Sequence, residues 1–293
     1  MMILAALLAL QAPGADPIAD VLSADSEFPL AGEIREIAEP ELSCIGQYIE
    51  GAAIVCRAEP GTIISLGDQS GTADSDGWVI LGINRDSEDV LTLTAALPSG
   101  AMIEQQYEIE QREYNIQRVD GVPPQTVNPP AEALALIREQ SRMKAAAYTS
   151  RWDGAGFAGG FIAPAEGIIS GVYGSQRFYN GEPRRPHYGL DYANDAGTPV
   201  HAPAAGIVTL ADPDMYYEGG LIFIDHGQGF TSAFLHLGAV HVTVGDVVEQ
   251  GELIGEIGSG GRATGAHLDW RIKWRNRYID PALVLTLDPA SLR

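Results

Sequence analysis

Three groups of histidine and aspartate residues in the second half of the chain have the types and spacing that a metal site requires. They are His187 with Asp191, the single His236, and His267 with Asp269. Side chains alternate faces along a strand, so residues two or four positions apart share a face and can point at one spot. A catalytic zinc ion usually takes three nitrogen or oxygen ligands and leaves one position open. Histidines beyond those ligands can carry protons or stabilise a developing negative charge.

The region that carries these residues is predicted to be a β domain. Residues 152–293, which begin with the glycine-rich break Gly154–Gly160, contain many short Val, Ile and Leu runs and no long helical period. His226 lies in the tripeptide Asp225-His226-Gly227, which is typical of a tight turn between strands. We therefore interpret His226 as structural and not as a ligand.

The first half is predicted to be a different, smaller β module. Residues 42–117 hold short apolar or alternating runs, such as Ala52–Cys56 and Val90–Thr94, divided by turns that contain Pro and Gly. Strands at this spacing predict a small immunoglobulin-like β-sandwich. Residues 118–130 are then expected to form a proline-rich linker, and residues 131–150, which are rich in good helix formers, a helix. The fold class is thus mainly β.

The N-terminus has the features of an exported protein. Residues 1–15 contain the apolar run Met2–Leu10, which is too short to span a bilayer but suits the core of a signal peptide, although no Lys or Arg precedes it. The alternative is a buried or unstructured N-terminus. Residues 16–41 are predicted to be an acidic tether. In an exported protein, Cys44 and Cys56 are expected to form one disulfide; two separate buried thiols are the alternative.

The strong acidity of the chain excludes two classes of partner. The formal net charge is −21, and most of it lies in the first half. Such a chain is repelled by nucleic acid and by anionic membrane surfaces. No segment beyond the N-terminal run is long and apolar enough for a membrane helix. We therefore expect no nucleic-acid partner and no membrane span in the mature chain, whereas the oligomeric state stays open.

Six sequence blocks follow one another in the second half of the chain. They are SGVYGSQR (170–177), RRPHYGLDYA (184–193), GTPVHAPAAGIV (197–208), FIDHGQGFTSAFLHL (223–237), VGDVVEQGELIGEIGSGGRATGAHLDW (244–270) and DPALVL (280–285). In this order, the segment 168–285 resembles the catalytic domain of lysostaphin-type (LytM-like) zinc metallopeptidases, a family of murein endopeptidases. The resemblance implies an antiparallel, duplicated hybrid motif-like β-sheet domain with one zinc ion per chain.

The resemblance also implies a role for each candidate residue. His187 and Asp191 would be two of the zinc ligands, and His236 and His267 would be catalytic histidines. The third ligand in the family is the second histidine of an H-x-H motif, and the residue at that position here is Asp269. A carboxylate is a competent zinc ligand. Two carboxylates and a neutral histidine cancel the +2 charge of zinc, whereas two histidines and one carboxylate leave +1.

The function implied is hydrolysis of peptide cross-links in bacterial peptidoglycan by metal-activated water, with the stem peptides as substrate. The enzyme would be exported to the periplasm or the cell envelope. The alternative is a catalytically impaired relative that activates separate cell-wall amidases, because some LytM-like domains have lost their zinc ligands. Since four of the five site positions match the family and the fifth is a residue able to bind metal, the enzyme is the favoured interpretation.

Overall fold

The computed structural model describes residues 37–39, 42–119, 129–179, 181–183 and 185–292. The described residues belong to one compact unit, Gly32–Arg293. The predicted signal peptide, most of the predicted tether and the centre of the predicted linker lie outside the described residues. The fold is mainly β with antiparallel sheets, as predicted. No helix in the described part of the chain has both the length and the apolar character needed to cross a membrane.

The front module consists of two four-stranded antiparallel sheets. One sheet has the order β1-β2-β3-β6 and the other β5-β4-β7-β8. The strands are β1 (Ile37–Glu39), β2 (Leu42–Ile45), β3 (Ala53–Ala58), β4 (Ile63–Leu66), β5 (Gln69–Thr72), β6 (Trp78–Gly82), β7 (Val90–Ala96) and β8 (Met102–Glu108). The alternation predicted for β7 is present, because Leu91, Leu93 and Ala95 are buried in one hydrophobic cluster. The immunoglobulin-like topology stays a prediction.

Cys44 on β2 and Cys56 on β3 lie directly opposite each other and are joined by a disulfide. The adjoining strand β1 alters the predicted boundary of the tether. The tether was expected to continue to residue 41, but Ile37–Glu39 pair with β2. Backbone pairing at the open edge of β2 overrides the polar composition of this segment, since a strand edge offers unpaired N–H and C=O groups to any chain beside it.

The second half is built around one ten-stranded antiparallel sheet, with the main order β10-β13-β20-β17-β16-β15-β18. Strands β14, β19 and β21 pair beside this path. The strands from this half are β10 (Ile168–Gly171), β11 (Gln176–Tyr179), β12 (Glu182–Pro183), β13 (Gly189–Ala193), β14 (Pro199–His201), β15 (Gly206–Met215), β16 (Gly219–Asp225), β17 (Phe230–Val240), β18 (Val247–Val248), β19 (Leu253–Ile257), β20 (His267–Trp274) and β21 (Arg277–Ile279).

A short strand joins the two halves where a linker was predicted. Strand β9 (Ile116–Val119) pairs in parallel with β11 of the second half, and β12 completes this small sheet. The predicted boundary between residues 117 and 118 therefore falls inside a strand. The alternating pattern that precedes the prolines continues into β9, and the free edge of β11 gives its backbone groups a partner.

The predicted helix lies on one face of the large sheet. Helix α1 (Leu134–Ala147) follows a 3-10 turn at Ala131–Ala133, inside the predicted range 131–150. Its last residue, Ala147, packs in a hydrophobic cluster with Phe223 and Leu235. The remaining short elements are the 3-10 turns Gly156–Gly159 and Pro289–Ser291 and the one-turn helix α2 (Pro281–Val284).

The front module and the large sheet share one hydrophobic core. A single cluster of buried residues runs from Leu42 in the front module to Trp274 and Ile279 in the second half. Gly82 at the end of β6 faces the side chains of Trp274 and Ile279, and a Cβ at this glycine would lie only 2.7 Å from Ile279. The two halves are therefore packed together without a solvent layer at this point.

Candidate metal centre

Strand β20 presents two chemically different faces to its surroundings. Leu268, Trp270, Ile272 and Trp274 point into the core and are fully buried. The alternate residues His267, Asp269, Arg271 and Lys273 share the opposite face because strand side chains alternate. One strand thus anchors the core and carries the polar residues of the site.

Three of the candidate residues come together on that polar face. One potential ligand atom from each of His187, Asp191 and Asp269 lies within 4.8 Å of the other two. Asp191 on β13 lies directly opposite Asp269 on β20 in the strand register. All three side chains are buried, with exposed fractions of 3%, 6% and 3%. The sheet register brings Asp191 and Asp269 together, and His187 joins them from the loop before β13, where its backbone exchanges hydrogen bonds with Gly174 and Ser175.

The polar atoms of this cluster fit a metal ion. Neither ring nitrogen of the buried His187 has a hydrogen-bond partner among the described residues, although Nε2 lies 3.0 Å from Oδ1 of Asp191. Two carboxylates at directly opposed strand positions repel each other, which a cation between them would relieve. One nitrogen and two carboxylate ligands form a donor set that zinc accepts.

Two glycines lack the side chain that would otherwise fill the space occupied by the two carboxylates. A Cβ at Gly171 on β10 would lie 2.1 Å from Oδ2 of Asp191, and a Cβ at Gly189 on β13 would lie 2.1 Å from Oδ1 of Asp269. Any other residue at either position would displace the carboxylate beside it. The backbone around the cluster is therefore shaped for these two acidic side chains.

Asp269 has a partner that the sequence reasoning missed. Arg271 donates from Nε to both carboxylate oxygens of Asp269, at 3.0 and 3.1 Å, and from Nη2 to Oδ2 at 2.5 Å. Burial alone would raise the pKa of Asp269, but the guanidinium holds that pKa well below its usual value, with a smaller contribution from His187. The signal in the sequence was the two-residue spacing, which puts both side chains on one face of a strand.

The two candidate catalytic histidines lie side by side. The ring centroids of His236 and His267 are 4.8 Å apart. Nδ1 of His236 donates to the carbonyl oxygen of Gly260, and Nδ1 of His267 donates to that of Gly265, each at 2.9 Å. A carbonyl oxygen only accepts hydrogen bonds, so both rings carry their proton on Nδ1. Nε2 of each ring is therefore the position left for proton transfer.

His236 is held in an unusual backbone conformation. Its φ is +65°, in the left-handed region that non-glycine residues rarely adopt. Its backbone N–H donates to the carbonyl oxygen of Glu218, and Glu218 is paired in turn with Lys144 of helix α1. Burial lowers the pKa of His236, so the ring is neutral at pH 7. Backbone strain of this kind is concentrated at functional sites in proteins.

His226 shows what a structural histidine looks like in the same sheet. Its Nδ1 donates to the carbonyl oxygen of Ala205, and its Nε2 bonds the hydroxyl of Ser232, both at 2.8 Å. Burial lowers the pKa of His226 to about 4. Because both nitrogens are used, the ring has no free position for a metal or a proton.

An open groove of about 560 Å³ adjoins His236. Gly260, whose carbonyl oxygen accepts the His236 hydrogen bond, forms part of its wall together with Gly219 and Gly220. The acidic side chains of Asp214 and Glu256 also line it. Glycine walls expose backbone N–H and C=O groups, which an extended peptide can use for hydrogen bonding.

Comparison with known proteins places the site in a family. Residues 185–281 match the family described as Peptidase family M23. That span contains all five candidate residues. Residues 185–281 form an M23 peptidase domain. The predicted resemblance to lysostaphin-type peptidases is therefore confirmed. The roles of the individual residues, and that of Asp269 above all, stay predictions.

Two curated relatives of the M23 domain come from different bacteria. The DD-carboxypeptidase/endopeptidase Mpg of Neisseria meningitidis is 37% identical over 105 residues, which cover 36% of this chain and 24% of Mpg. The peptidoglycan DD-endopeptidase ShyA of Vibrio cholerae is 36% identical over 95 residues, or 32% of this chain and 22% of ShyA. The chain thus matches about a quarter of the length of these relatives.

A solved structure extends the likeness beyond the M23 domain. A Pseudomonas aeruginosa protein assigned to peptidase M23 superimposes with a TM-score of 0.63 at 27% identity. The match covers 82% of this chain and 96% of that one. Since the M23 domain makes up only a third of the chain, the shared architecture includes much of the front module as well.

Proposed function

We propose that this chain is a zinc-dependent endopeptidase that hydrolyses the peptide cross-links of bacterial peptidoglycan. The observation that carries the proposal is the buried cluster of His187, Asp191 and Asp269, with two imidazole rings nearby, inside an M23 peptidase domain. The names of the relatives, which include peptidoglycan DD-endopeptidases, support the substrate class.

Each site residue has a proposed role. His187, Asp191 and Asp269 would hold the zinc ion. When bound, zinc supplies a Lewis acid that polarises the scissile carbonyl and lowers the pKa of water. His236 is neutral and presents Nε2, so it can take a proton and then donate a hydrogen bond to the developing oxyanion. His267 presents the same atom beside it and would serve as the base or electrostatic partner for the attacking water.

The location proposed for this activity is the periplasm or another compartment of the cell envelope. The Cys44–Cys56 disulfide is typical of proteins from oxidising compartments. Peptidoglycan lies in the same compartment, and a chain of net charge −21 has no electrostatic affinity for nucleic acid. The location of the proposed substrate, the disulfide and the net charge of the chain are therefore all consistent with a location in the cell envelope.

Mass spectrometry of purified cross-linked muropeptides after incubation with the protein tests the proposal. We expect the cross-linked dimer to be converted into two monomers with a net gain of one water. Treatment with a chelator should stop cleavage, and added zinc should restore it. A matched His187→Ala variant should lack both zinc and cleavage. A folded parent protein that contains zinc and leaves every cross-link intact would contradict the proposed activity.

The Arg271 salt bridge favours a second candidate function. A guanidinium already bound to Asp269 competes with a metal for that carboxylate. If the metal fails to bind, the domain becomes a regulator that activates a separate cell-wall amidase. The same preparation decides between the two: a regulator would contain no zinc, would cleave nothing alone, and would raise the rate of an added amidase.

A further inference from the structure

The backbone around the site accommodates the pair formed by Asp269 and Arg271. The two side chains lie on one face of β20, and Arg271 is opposite Gly189 in the strand register. A Cβ at Gly189 would lie 2.9 Å from Cγ of Arg271 and closer still to Asp269. The missing side chain at residue 189 therefore leaves room for the arginine and the aspartate together.

The contacts leave one oxygen of Asp269 better placed for a metal than the other. Oδ2 accepts from both Nε and Nη2, whereas among the described residues Oδ1 accepts only from the shared Nε–H at 3.0 Å. Each carboxylate oxygen has about two lone-pair sites. Oδ2 is thus fully engaged, and Oδ1 keeps a lone pair. A carboxylate held in this way offers one oxygen to a cation and cannot grip it with two.

The pair also changes the charge of the site. His187 is neutral as a ligand, Asp191 and Asp269 each carry −1, and Arg271 carries +1, so the four groups sum to −1. Two neutral histidines and one aspartate also sum to −1. Asp269 considered alone predicts a site more negative than the family pattern. With Arg271 included, the charge returns to the value of the usual ligand set.

We propose that Arg271 is a positioning residue that makes Asp269 equivalent to a neutral third ligand. Its guanidinium fixes the carboxylate in a one-oxygen orientation and cancels the added negative charge. Asp269 and Arg271 therefore act as one unit in place of the second histidine of the H-x-H motif. This inference rests on the proposed zinc site, and it requires that the effect of exchanging Arg271 on zinc affinity depends on which residue stands at position 269.

The test is a double-mutant cycle on metal binding by the full-length chain. Zinc dissociation constants are measured by competition with a chromophoric chelator for the parent, Asp269→His, Arg271→Gln and the double variant Asp269→His/Arg271→Gln. In Asp269→His, the guanidinium is left unpaired and faces the cation. We expect this variant to bind zinc about 10-fold or more weakly than the double variant, which matches the size of effects from residues that contact metal ligands.

In the parent background the same Arg271→Gln change should act differently. It removes a repelling charge but also releases the carboxylate of Asp269, so we expect a smaller change in zinc affinity than in the histidine background. If Arg271→Gln changed the zinc dissociation constant by the same factor in both backgrounds, the inference would be overturned, because Arg271 would then act only as a general positive charge.

Cobalt substitution gives a second readout that does not depend on the histidine variants folding. With Arg271 present, Co²⁺ should show the strong visible absorption of four-coordinate cobalt. Arg271→Gln frees Oδ2, and the added ligand should weaken that absorption. Arg271→Lys keeps the charge but lacks the planar fork, so its cobalt spectrum should resemble that of Arg271→Gln. A parent-like spectrum in both variants would refute the positioning role. A folded parent that binds neither metal would instead refute the proposed function.

Discussion

Two arginine–aspartate pairs, each with a buried carboxylate and a partly buried guanidinium, lie in different regions of the chain and have different roles. At the junction of the two halves, Nη1 of Arg112 donates to Oδ2 of Asp280 at 2.8 Å. Oδ1 of Asp280 caps helix α2 by accepting from the N–H of Ala282, and the backbone N–H of Asp280 donates to the carbonyl oxygen of Gly51. Every polar group of the Asp280 side chain is thus used within the protein.

The pair in the M23 domain has the same chemistry but different neighbours. Asp269 bonds Arg271, yet it lies opposite Asp191 and beside His187, whose ring nitrogens are without hydrogen bonds among the described residues. Burial of a charge therefore does not distinguish a site from a structural contact. The difference lies in whether the surrounding polar atoms are satisfied, since an unsatisfied buried group is costly unless something else binds it.

The largest expected effect concerns the candidate site in the M23 domain, where the ring nitrogens of the buried His187 lack hydrogen-bond partners among the described residues. We expect His236→Ala and His267→Ala each to reduce the cleavage rate by about 10²–10⁴-fold, because each removes a positioned proton carrier. Zinc content should stay at the parent level, since neither residue is a proposed ligand. Cleavage of cross-linked muropeptides and metal analysis are the measurements. His241→Ala, at an exposed histidine paired with Glu256, is the matched control. Loss of zinc from either site variant would make that histidine a ligand.

Exchange of a residue in the Arg112–Asp280 pair should lower the free energy of unfolding. Arg112→Met leaves Asp280 buried without its cation, and breaking a buried pair in this way costs about 3–5 kcal/mol. Urea unfolding should show this loss, while the zinc affinity of the folded protein stays unchanged. The double variant Arg112→Met/Asp280→Asn removes the stranded charge and keeps a good helix cap, so it should recover part of the stability. A fall in zinc affinity without a fall in stability would remove the distinction between the two pairs.

His226 extends the comparison to pH. Its pKa is about 4 in the folded protein and about 6.5 in the unfolded chain. Between these values the unfolded chain binds the proton more readily. Stability from this residue is therefore complete above pH 6.5 and falls as the pH drops towards 4, by about 3 kcal/mol in total. Urea unfolding at pH 7 and pH 4.5 should show a smaller difference for His226→Asn than for the parent. Equal differences would mean that His226 is not the group responsible.

The smallest effect should come from an exposed pair. Arg142 and Glu139 form a salt bridge on the surface of helix α1, and both side chains are more than half exposed. Solvent screens such pairs, so Arg142→Ala should change the free energy of unfolding by about 0.5 kcal/mol or less. The same urea measurement checks this value. A loss as large as that of Arg112→Met would show that burial does not separate the classes of ion pair in this chain.

The sequence predicted the features that depend on local pattern. Alternation along β7 and the turns between strands follow the period of a strand, and the β fold is confirmed. His187 lies two residues before β13, so the strand period does not explain why it lies beside Asp191. The cysteine pair was predicted from composition and compartment, and its disulfide is present. These features need only residues that are close in sequence or rare in type.

Features that depend on tertiary pairing were missed. The sequence does not identify the role of Arg271, because an arginine on a strand can be assigned a partner only when the neighbouring strands and loops are known. Strand β9 was divided between the predicted β module and the predicted linker, since the edge of β11 that pairs with it lies about 60 residues later. The left-handed backbone of His236 was not predicted, because the enrichment of histidine in this conformation is too small to identify it at a single position.

The continuous core has a consequence for how this protein can change during evolution. Trp274 and Ile279 of the M23 half rest against Gly82 of the front half, and Asp280 is tied to Gly51 and Arg112. A gene fusion or exchange that replaced the front half would expose these side chains and strand a buried carboxylate. We therefore expect the two halves to be inherited as a matched set, with correlated substitutions at Gly82 and Ile279 among descendants of this chain.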